Sequence, residues 1–393
     1  MDKALRILFA AGGTGGHVYP AIAIAQALQH LQPSCQVLFV GTRDRMEWNA
    51  VPAAGFEIRP LWISGLHRRF TLKNALLPLK LMVSLWQSLC LIRRFRPHAL
   101  VSCGGFASGP PGWMAARMSV PLYVQEQNSV PGVTTRKLAP SAKTVFVAFE
   151  EAGTRLAAAQ TILAGNPVRR ELIHPKPDMQ EIACARKALG LDPERAVLLV
   201  TGGSGGARSI NEALLSLLPD LLSDQRLQII WQCGSAYYDE RRDRLAANGF
   251  EDAVLKGVQL RAYLENMNQA WTVSDMVVCR AGALTCAEIQ VKGKPAILVP
   301  SPWVADDHQT RNARALADAG AALMVADEQL QHELLPAIKT LLDHKKRRQE
   351  LSRRALEMAR PDAAYTIARH ILNDISDSVA SVDLPGTVTA EHL

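Results

Sequence analysis

Two stretches of the chain share one pattern, and it restricts the possible fold more than any other feature. "RILFAAGGTGGHVYPAIAIAQAL" (residues 6–28) and "AVLLVTGGSGGARSINEALLSLL" (196–218) each pass from an apolar strand-like run, through four glycines in five positions, into a helix-like run. Gly12, Gly13, Thr14, Gly15 and Gly16 overlie Gly202, Gly203, Ser204, Gly205 and Gly206. Such a unit leaves backbone N–H groups at a helix N-terminus, where they and the helix dipole attract phosphate. Glycine allows close backbone approach there. A tight turn into the helix, with no ligand at all, is the plainer reading of the same residues.

Each unit begins a series. Runs at 36–41, 98–103, 121–126 and 144–149 follow the first, and runs at 228–234, 276–282 and 295–301 follow the second. Nearly all are apolar throughout rather than alternating, as parallel strands covered on both faces must be. Repeated βα units predict an α/β fold of two Rossmann-like doubly wound domains, and 393 residues suffice for two cores. The prolines of "AGNPVRRELIHPKPD" (164–178) mark the join. The expected division is 1–165 and 166–360, with a helix at about 361–375 packing back on the first domain and a small, polar, disordered tail at 376–393.

Several chemistries are disfavoured. After Gly13 and Gly15 the third position of a dinucleotide fingerprint is Val18, and "VGTRDR" has no acidic residue placed at the strand tip for a ribose. There is no phosphate-loop lysine motif. There is no D-x-D to chelate a metal-bound nucleotide sugar and no C-x-x-C among seven scattered cysteines. No cofactor and no metal is expected, and the cysteines read as buried thiols of a reducing cytosol. The N-terminal apolar run is too short for a signal peptide, and no stretch reaches the roughly 18 apolar residues of a membrane span. The net charge of +7 favours anionic partners, but no basic tail with interleaved aromatics points to nucleic acid.

A third glycine turn, "CRAGALTCAEI" (279–289), sets Thr285 and Glu288 three residues apart, Glu288 being either a helix-capping carboxylate or an acceptor for ribose hydroxyls. A fourth, "SCGGFASGPPG", lies in the first half. Two phosphate cradles suggest two phosphorylated substrates.

"GGTGGHVYPAIAIA", "GGFASGPPG", "QEQNSVPGVTTRKLA", "GNPVRRE", "GGSGGARSIN", "CRAGALTCAEI" and "DDHQTRNA" stand in the order and at the spacings of one family. From about residue 5 to about 372 the chain resembles the MurG family of N-acetylglucosaminyltransferases. The resemblance implies a GT-B glycosyltransferase: a donor domain for UDP-N-acetylglucosamine, an acceptor domain for a lipid-pyrophosphate sugar (lipid I), and a cleft between them. The reaction implied is inverting transfer to the acceptor's C4 hydroxyl, giving lipid II for peptidoglycan. A UDP-sugar 2-epimerase of the same fold class is the alternative.

The same resemblance implies roles for residues at matching positions. Thr14, Gly15 and Gly16 form the first loop. Asn128 contacts the donor sugar, Arg169 and Ser204 the diphosphate, and Glu288 the ribose. Ala283, Leu284, Thr285, Cys286 and Ala287 line the ribose turn. Gln309 contacts the sugar, and the backbone of Leu264 meets the uracil. The chain departs from the family at Gly205, where glutamine is common, at Ser129, and at the pair Tyr263–Leu264.

The transfer needs a base for the hydroxyl proton and stabilisation of the leaving diphosphate. His17, directly after the loop glycines, is the preferred base, since imidazole has an ordinary pKa of about 6.5. Glu126, in "QEQN", is its rival. His17 as a mere hydrogen-bonding or capping group is the plainer alternative. His67 reads as a surface residue, and His308, beside Gln309, as a possible sugar contact.

A lipid-linked acceptor requires membrane contact. In the segment 67–96, Leu72, Leu76, Leu79, Met82, Trp86 and Leu89 recur at helical spacing, with Leu77, Leu81 and Leu85 beside them. Basic residues flank both ends: Arg68, Arg69 and Lys73, then Arg93, Arg94 and Arg96. The expectation is a helix whose 68–81 part meets an anionic membrane while Trp86 onward packs inside, on the cytoplasmic face of the bacterial inner membrane.

Overall fold

A computed structural model of the chain describes residues 4–65, 76–173, 177–249 and 257–382. The chain divides into two compact units, one running to Arg169 and resuming at Asp362, the other spanning Arg170–Pro361. The boundary expected at 165/166 put Arg169 in the second domain, whereas its contacts put it in the first unit.

Unit 1 holds a seven-stranded sheet: β1 (Arg6–Ala10), β2 (Gln36–Gly41), β3 (Glu57–Pro60), β4 (Ala99–Ser102), β5 (Leu122–Glu126), β6 (Thr144–Val147) and β7 (Thr161–Leu163). The order is β3-β2-β1-β4-β5-β6-β7, and every pair is parallel. Unit 2 holds six parallel strands, β8 (Ala196–Thr201), β9 (Leu227–Gln232), β10 (Val258–Arg261), β11 (Met276–Cys279), β12 (Ala296–Leu298) and β13 (Leu323–Met324), in the order β10-β9-β8-β11-β12-β13. Chain order reverses direction between β1 and β4, and again between β8 and β11. At such a switch point the loops leave to opposite sides and open a crevice at the carboxyl ends of the strands. Both glycine loops start there. The strands not anticipated, β3, β7, β10 and β13, are the four sheet edges. Covered less fully, they are only two to four residues long and, except for β13, partly polar, so they lack the continuous apolar signal of the central strands.

Helix α1 (Gly15–Leu31) follows the first glycine loop. It buries Val18, Ala21, Ile22, Ile24, Ala25 and Leu28, leaving almost no polar face. The reason is a second cover: the last helix, α9 (Ala363–Val382), packs Ala364, Ile367, Ala368 and Ile371 into the same core. α9 extends past the expected end at 375 and takes up residues 376–382 of the expected disordered tail; residues 383–393 lie outside the described residues. Its Asp374 accepts from the Tyr123 hydroxyl on β5 and pairs with Lys143.

Helix α3 (Leu77–Phe95) exposes Leu79 and Leu81, as expected of its first part, and departs from the expectation at Trp86. Its buried residues are Ser84, Ser88 and Ile92. The two serines satisfy their hydroxyls on backbone carbonyls of their own helix, Ser84 on Leu81 and Ser88 on Ser84. Small side chains let α3 lie close on α4 (Gly109–Arg117). The large apolar side chains point outward: Leu79, Leu81, Met82 and Trp86 are exposed, Trp86 by 65%. Trp86 therefore does not pack inside. His67, Arg68, Arg69, Leu72 and Lys73 lie outside the described residues, as do 174–176 of the expected linker. Among the described residues no helix is long and apolar enough to cross a membrane. Cys90 and Cys184 are exposed; the other five cysteines are buried, as expected, and burial pushes the Cys35 thiol up to about 11.

Replacing Ile371, fully buried beneath α1, with alanine should cost about 2–5 kcal/mol in denaturant unfolding of unit 1. Asp374 gives a pH dependence. Partial burial raises its pKa, but the hydrogen bonds from Lys143 and Tyr123 outweigh that and hold the carboxyl below its usual range. A depressed carboxylate stabilises above its unfolded pKa of about 3.9, and the contribution disappears as pH falls through the folded value. Asp374→Asn should therefore lower the melting temperature at neutral pH and leave it close to wild type at the most acidic pH where both fold.

Candidate active site

In unit 1 the site forms where the loops after β1 and β4 meet. Gly105 adopts φ +80°, and a Cβ there would stand 2.0 Å from the Gly12 carbonyl oxygen. The two loops thus touch backbone to backbone. His17 is clamped beside them: a Cβ on Gly104 would lie 2.9 Å from its Cδ2. Its Nδ1 is 3.1 Å from the Thr14 hydroxyl, which leaves Nε2 as the ring's other polar atom. Thr14 is the N-cap of α1 in extended conformation, but its hydroxyl serves His17 rather than the helix end. Gly15 and Gly16 follow as the first helical residues, whose N–H groups have no acceptor within the helix.

The loop is braced from below by Glu47, which is fully buried. Its carboxylate accepts from Gly13 N–H at 3.1 Å, Thr42 N–H at 3.0 Å and the Thr42 hydroxyl at 2.8 Å. Cβ atoms on Gly12 or Gly41 would each approach this side chain to 2.6 Å. Part of the glycine pattern therefore makes room for a buried carboxylate, and the Gly13 N–H is engaged by it. Glu47 was not anticipated; its signal is an acid a few residues beyond a strand tip, shared there with Asp44.

Glu126 ends β5 and is also buried. It accepts from the backbone N–H and side-chain amide of Asn128 at 3.0 and 3.2 Å, and from Gly132 N–H at 3.0 Å. Its carboxylate closes its own turn and fixes Asn128. Alongside, Gln127 donates to the Cys103 carbonyl, and Asn166 donates to that of Gln127. Arg169 lies with its guanidinium 5.2 Å from the ring centroid of Tyr19 on α1, a cation–π contact.

In unit 2 the second glycine loop leads into α5 (Arg208–Leu222). Gly203 and Gly206 have φ of +83° and +74°, and a Cβ on Gly206 would meet the Cys233 carbonyl oxygen at 2.0 Å. Ser204 is exposed at the tip. Gly205 has ordinary φ and nothing within 4 Å of a Cβ, so the position has room for the glutamine common in the family. Buried Gln232 joins this loop to the next one: its amide donates to the Gly203 carbonyl at 2.9 Å and accepts from Leu264 N–H at 3.1 Å. A glutamine at the end of the apolar run "QIIWQ" was the available sign of that bridge.

Helix α6 (Ala283–Lys292) opens at the third glycine turn. Ala283, Cys286, Ala287 and Glu288 are buried, while Leu284 and Thr285 are half-buried. The helix is capped by Gly282 and has no acid in its first turn, so Glu288 is not a capping carboxylate. Burial pushes the Cys286 thiol up to about 12, which keeps it protonated and unreactive. The side-chain carbonyl of Gln309 accepts from Ser301 N–H at 2.9 Å, which turns its amide nitrogen the other way. Gln309 and half-buried His308 start α7 (His308–Asp318).

Gly105→Ala should destabilise unit 1 by at least the roughly 1–3 kcal/mol of a strained left-handed residue, with the clash on Gly12 added. Gly205→Gln should shift unit 2 by no more than about 0.5 kcal/mol, as surface substitutions do. Denaturant unfolding of the two variants tests both values.

Residues 7–147 match the glycosyltransferase family 28 N-terminal domain, and residues 197–367 match the C-terminal domain of that family. A protein of Salinibacter ruber is 42% identical over 373 residues, 94% of this chain and 97% of that one. It is described as UDP-N-acetylglucosamine–N-acetylmuramyl-(pentapeptide) pyrophosphoryl-undecaprenol N-acetylglucosamine transferase. The crystal structure of Acinetobacter baumannii MurG is 28% identical, with a TM-score of 0.70 over 94% of this chain and 99% of that one. The UDP-GlcNAc 2-epimerase of Neisseria meningitidis, at 13% identity and a TM-score of 0.65 over 94% of this chain and 99% of that one, shares the fold alone. The chain belongs to the MurG family of N-acetylglucosamine transferases, a GT-B glycosyltransferase family built from the two family 28 domains.

Proposed function

We propose that the protein transfers N-acetylglucosamine from UDP-N-acetylglucosamine to the C4 hydroxyl of the N-acetylmuramyl sugar of lipid I, with inversion. The full-length likeness to the relatives named for that transfer supports it, and a 13% identical epimerase does not favour the alternative. The observation that carries the mechanism is the clamped His17 at the β1/β4 switch point. A base works only when held within reach of the proton it takes. Here Thr14 fixes one nitrogen and the backbone of Gly104 and Gly105 fixes the ring plane.

In the proposed step the hydroxyl oxygen attacks the anomeric carbon, its proton passes to His17 Nε2, and the bond to the diphosphate breaks as UDP leaves. Thr14 and the N–H groups of Gly15 and Gly16 line the acceptor loop. Ser204 and Arg169 meet the charge developing on the diphosphate, where a planar guanidinium suits two oxygens at once. Glu288 binds the ribose hydroxyls within the turn lined by Ala283, Leu284, Thr285, Cys286 and Ala287. The backbone at Leu264 meets the uracil, and Asn128 and Gln309 contact the sugar. Glu126 fits a bracing role better than that of base, because its carboxylate is engaged by Asn128 and Gly132 of its own loop.

The outward face of α3 supports peripheral attachment to an anionic membrane on the cytoplasmic side. Beside it stand two further half-exposed tryptophans, each with a cation over or near its ring: Trp62 with Lys80 at 5.9 Å and Trp113 with Arg117 at 4.7 Å. An apolar stripe with basic neighbours is the composition of an interfacial helix.

His17→Ala should lower acceptor-dependent UDP release about 10²–10⁴-fold while leaving UDP-N-acetylglucosamine binding and the melting temperature unchanged. Glu126→Gln should instead lower the melting temperature. A loss below tenfold in His17→Ala would move the base to Glu126. In sedimentation with vesicles containing anionic lipid, the pair Met82→Glu and Trp86→Glu should abolish binding, and added salt should weaken that of the wild type.

A further inference from the structure

Beneath the loops of unit 2 lies a charged cluster that none of the roles above employs. Arg280 stands directly after β11, in the centre of the sheet, with its side chain 13% exposed. One nitrogen of its guanidinium donates to the carbonyls of Val299 and Pro300, each at 3.2 Å, and to Asp327 at 2.6 Å. The other terminal nitrogen donates to the Ser209 hydroxyl at 2.7 Å, and that hydroxyl donates to the same oxygen of Asp327 at 2.6 Å. Asp327 is 15% exposed.

This one cation joins four segments at the carboxyl edge of the sheet. Ser209 is in the first turn of α5, just past the Ser204 loop. Arg280 itself precedes the turn of Ala283 to Glu288. Val299 and Pro300 precede Ser301, which holds Gln309. Asp327 follows the edge strand β13. Loops rich in glycine lose much conformational entropy when ordered. A guanidinium provides several donors in one rigid plane, and a paired carboxylate offsets its charge.

We propose that Arg280, with Asp327 and Ser209, is a positioning residue of the donor site: it sets the spacing between the diphosphate loop, the ribose turn and the sugar-contacting glutamine. The proposal rests on the donor assignment given under the proposed function. A ligand that spans all three segments depends on their spacing, whereas one that meets a single segment does not. Lysine at this position keeps the charge but not the fork, so Arg280→Lys separates geometry from charge.

The test is calorimetric titration of wild type and Arg280→Lys with UDP-N-acetylglucosamine and with uridine, alongside melting curves and steady-state kinetics. Arg280→Lys is expected to weaken UDP-N-acetylglucosamine at least tenfold and uridine less than threefold. KM for the donor should rise while kcat changes less than threefold. Ser209→Ala, which removes one bond of the cluster, should give the same selective weakening to a smaller extent, and it carries the test if the lysine variant does not fold. Equal affinity of wild type and variant for UDP-N-acetylglucosamine would overturn the proposal, as would equal weakening of both ligands. Failure of the wild type to bind the donor at all would overturn the donor assignment itself.

Discussion

Backbone touches backbone at the carboxyl edge of both sheets, and the rest of the site is arranged around those two contacts. In unit 1 it is Gly105 against the Gly12 carbonyl; in unit 2 it is Gly206 against that of Cys233. Neither approach leaves room for a Cβ, and both residues have left-handed φ. The first contact sits where the sheet of unit 1 reverses its chain order, between the loops after β1 and β4; the second joins the loops after the neighbouring strands β8 and β9. Helix N-termini and their N–H groups are then the nearest polar surface for a ligand. His17 and Ser204 owe their places to those turns rather than to the helices that follow.

Turns of this kind carry little packing of their own, and the protein steadies them with buried polar side chains. Glu47 holds the first loop, Glu126 the turn after β5, Gln232 the bridge from Gly203 to Leu264, and Arg280 the carboxyl edge of the second sheet. A buried polar group is expensive unless its bonds are all made, and one left unpaired costs about 1–3 kcal/mol or more. The same arithmetic makes each brace specific, since only one loop geometry satisfies it. A rigid supporting layer of this type is what a catalytic constellation needs to hold its geometry before substrate arrives.

Helix α3 follows the opposite logic. Serines occupy its buried side, where their hydroxyls bond within the helix and their small size permits close contact with α4. Its leucine, methionine and tryptophan side chains are left outside. A soluble protein gains nothing from that arrangement, because apolar area removed from water is the main favourable term in folding. The proposed membrane contact would cover that face.

The sequence by itself determined the α/β class, the nine central strands, the glycine loops and the motif order that carries the family. Those signals are local: a strand covered on both faces is apolar along its length, and a left-handed turn calls for glycine wherever it occurs. Only the tertiary structure decided the edge strands, the outward turn of Trp86, the continuation of α9 through residue 382, and the tasks of Glu47, Glu126 and Arg280. Glu126 bonds within its own turn, but most of the others depend on a partner distant in the chain. Gly13 comes to Glu47 only once β1 and β2 pair, and Ser209 and Asp327 reach Arg280 from segments scores of residues away. Periodicity records that a helix has an apolar side. Which side faces the protein is set by the neighbour that packs against it, and for α3 that neighbour accepted the serines.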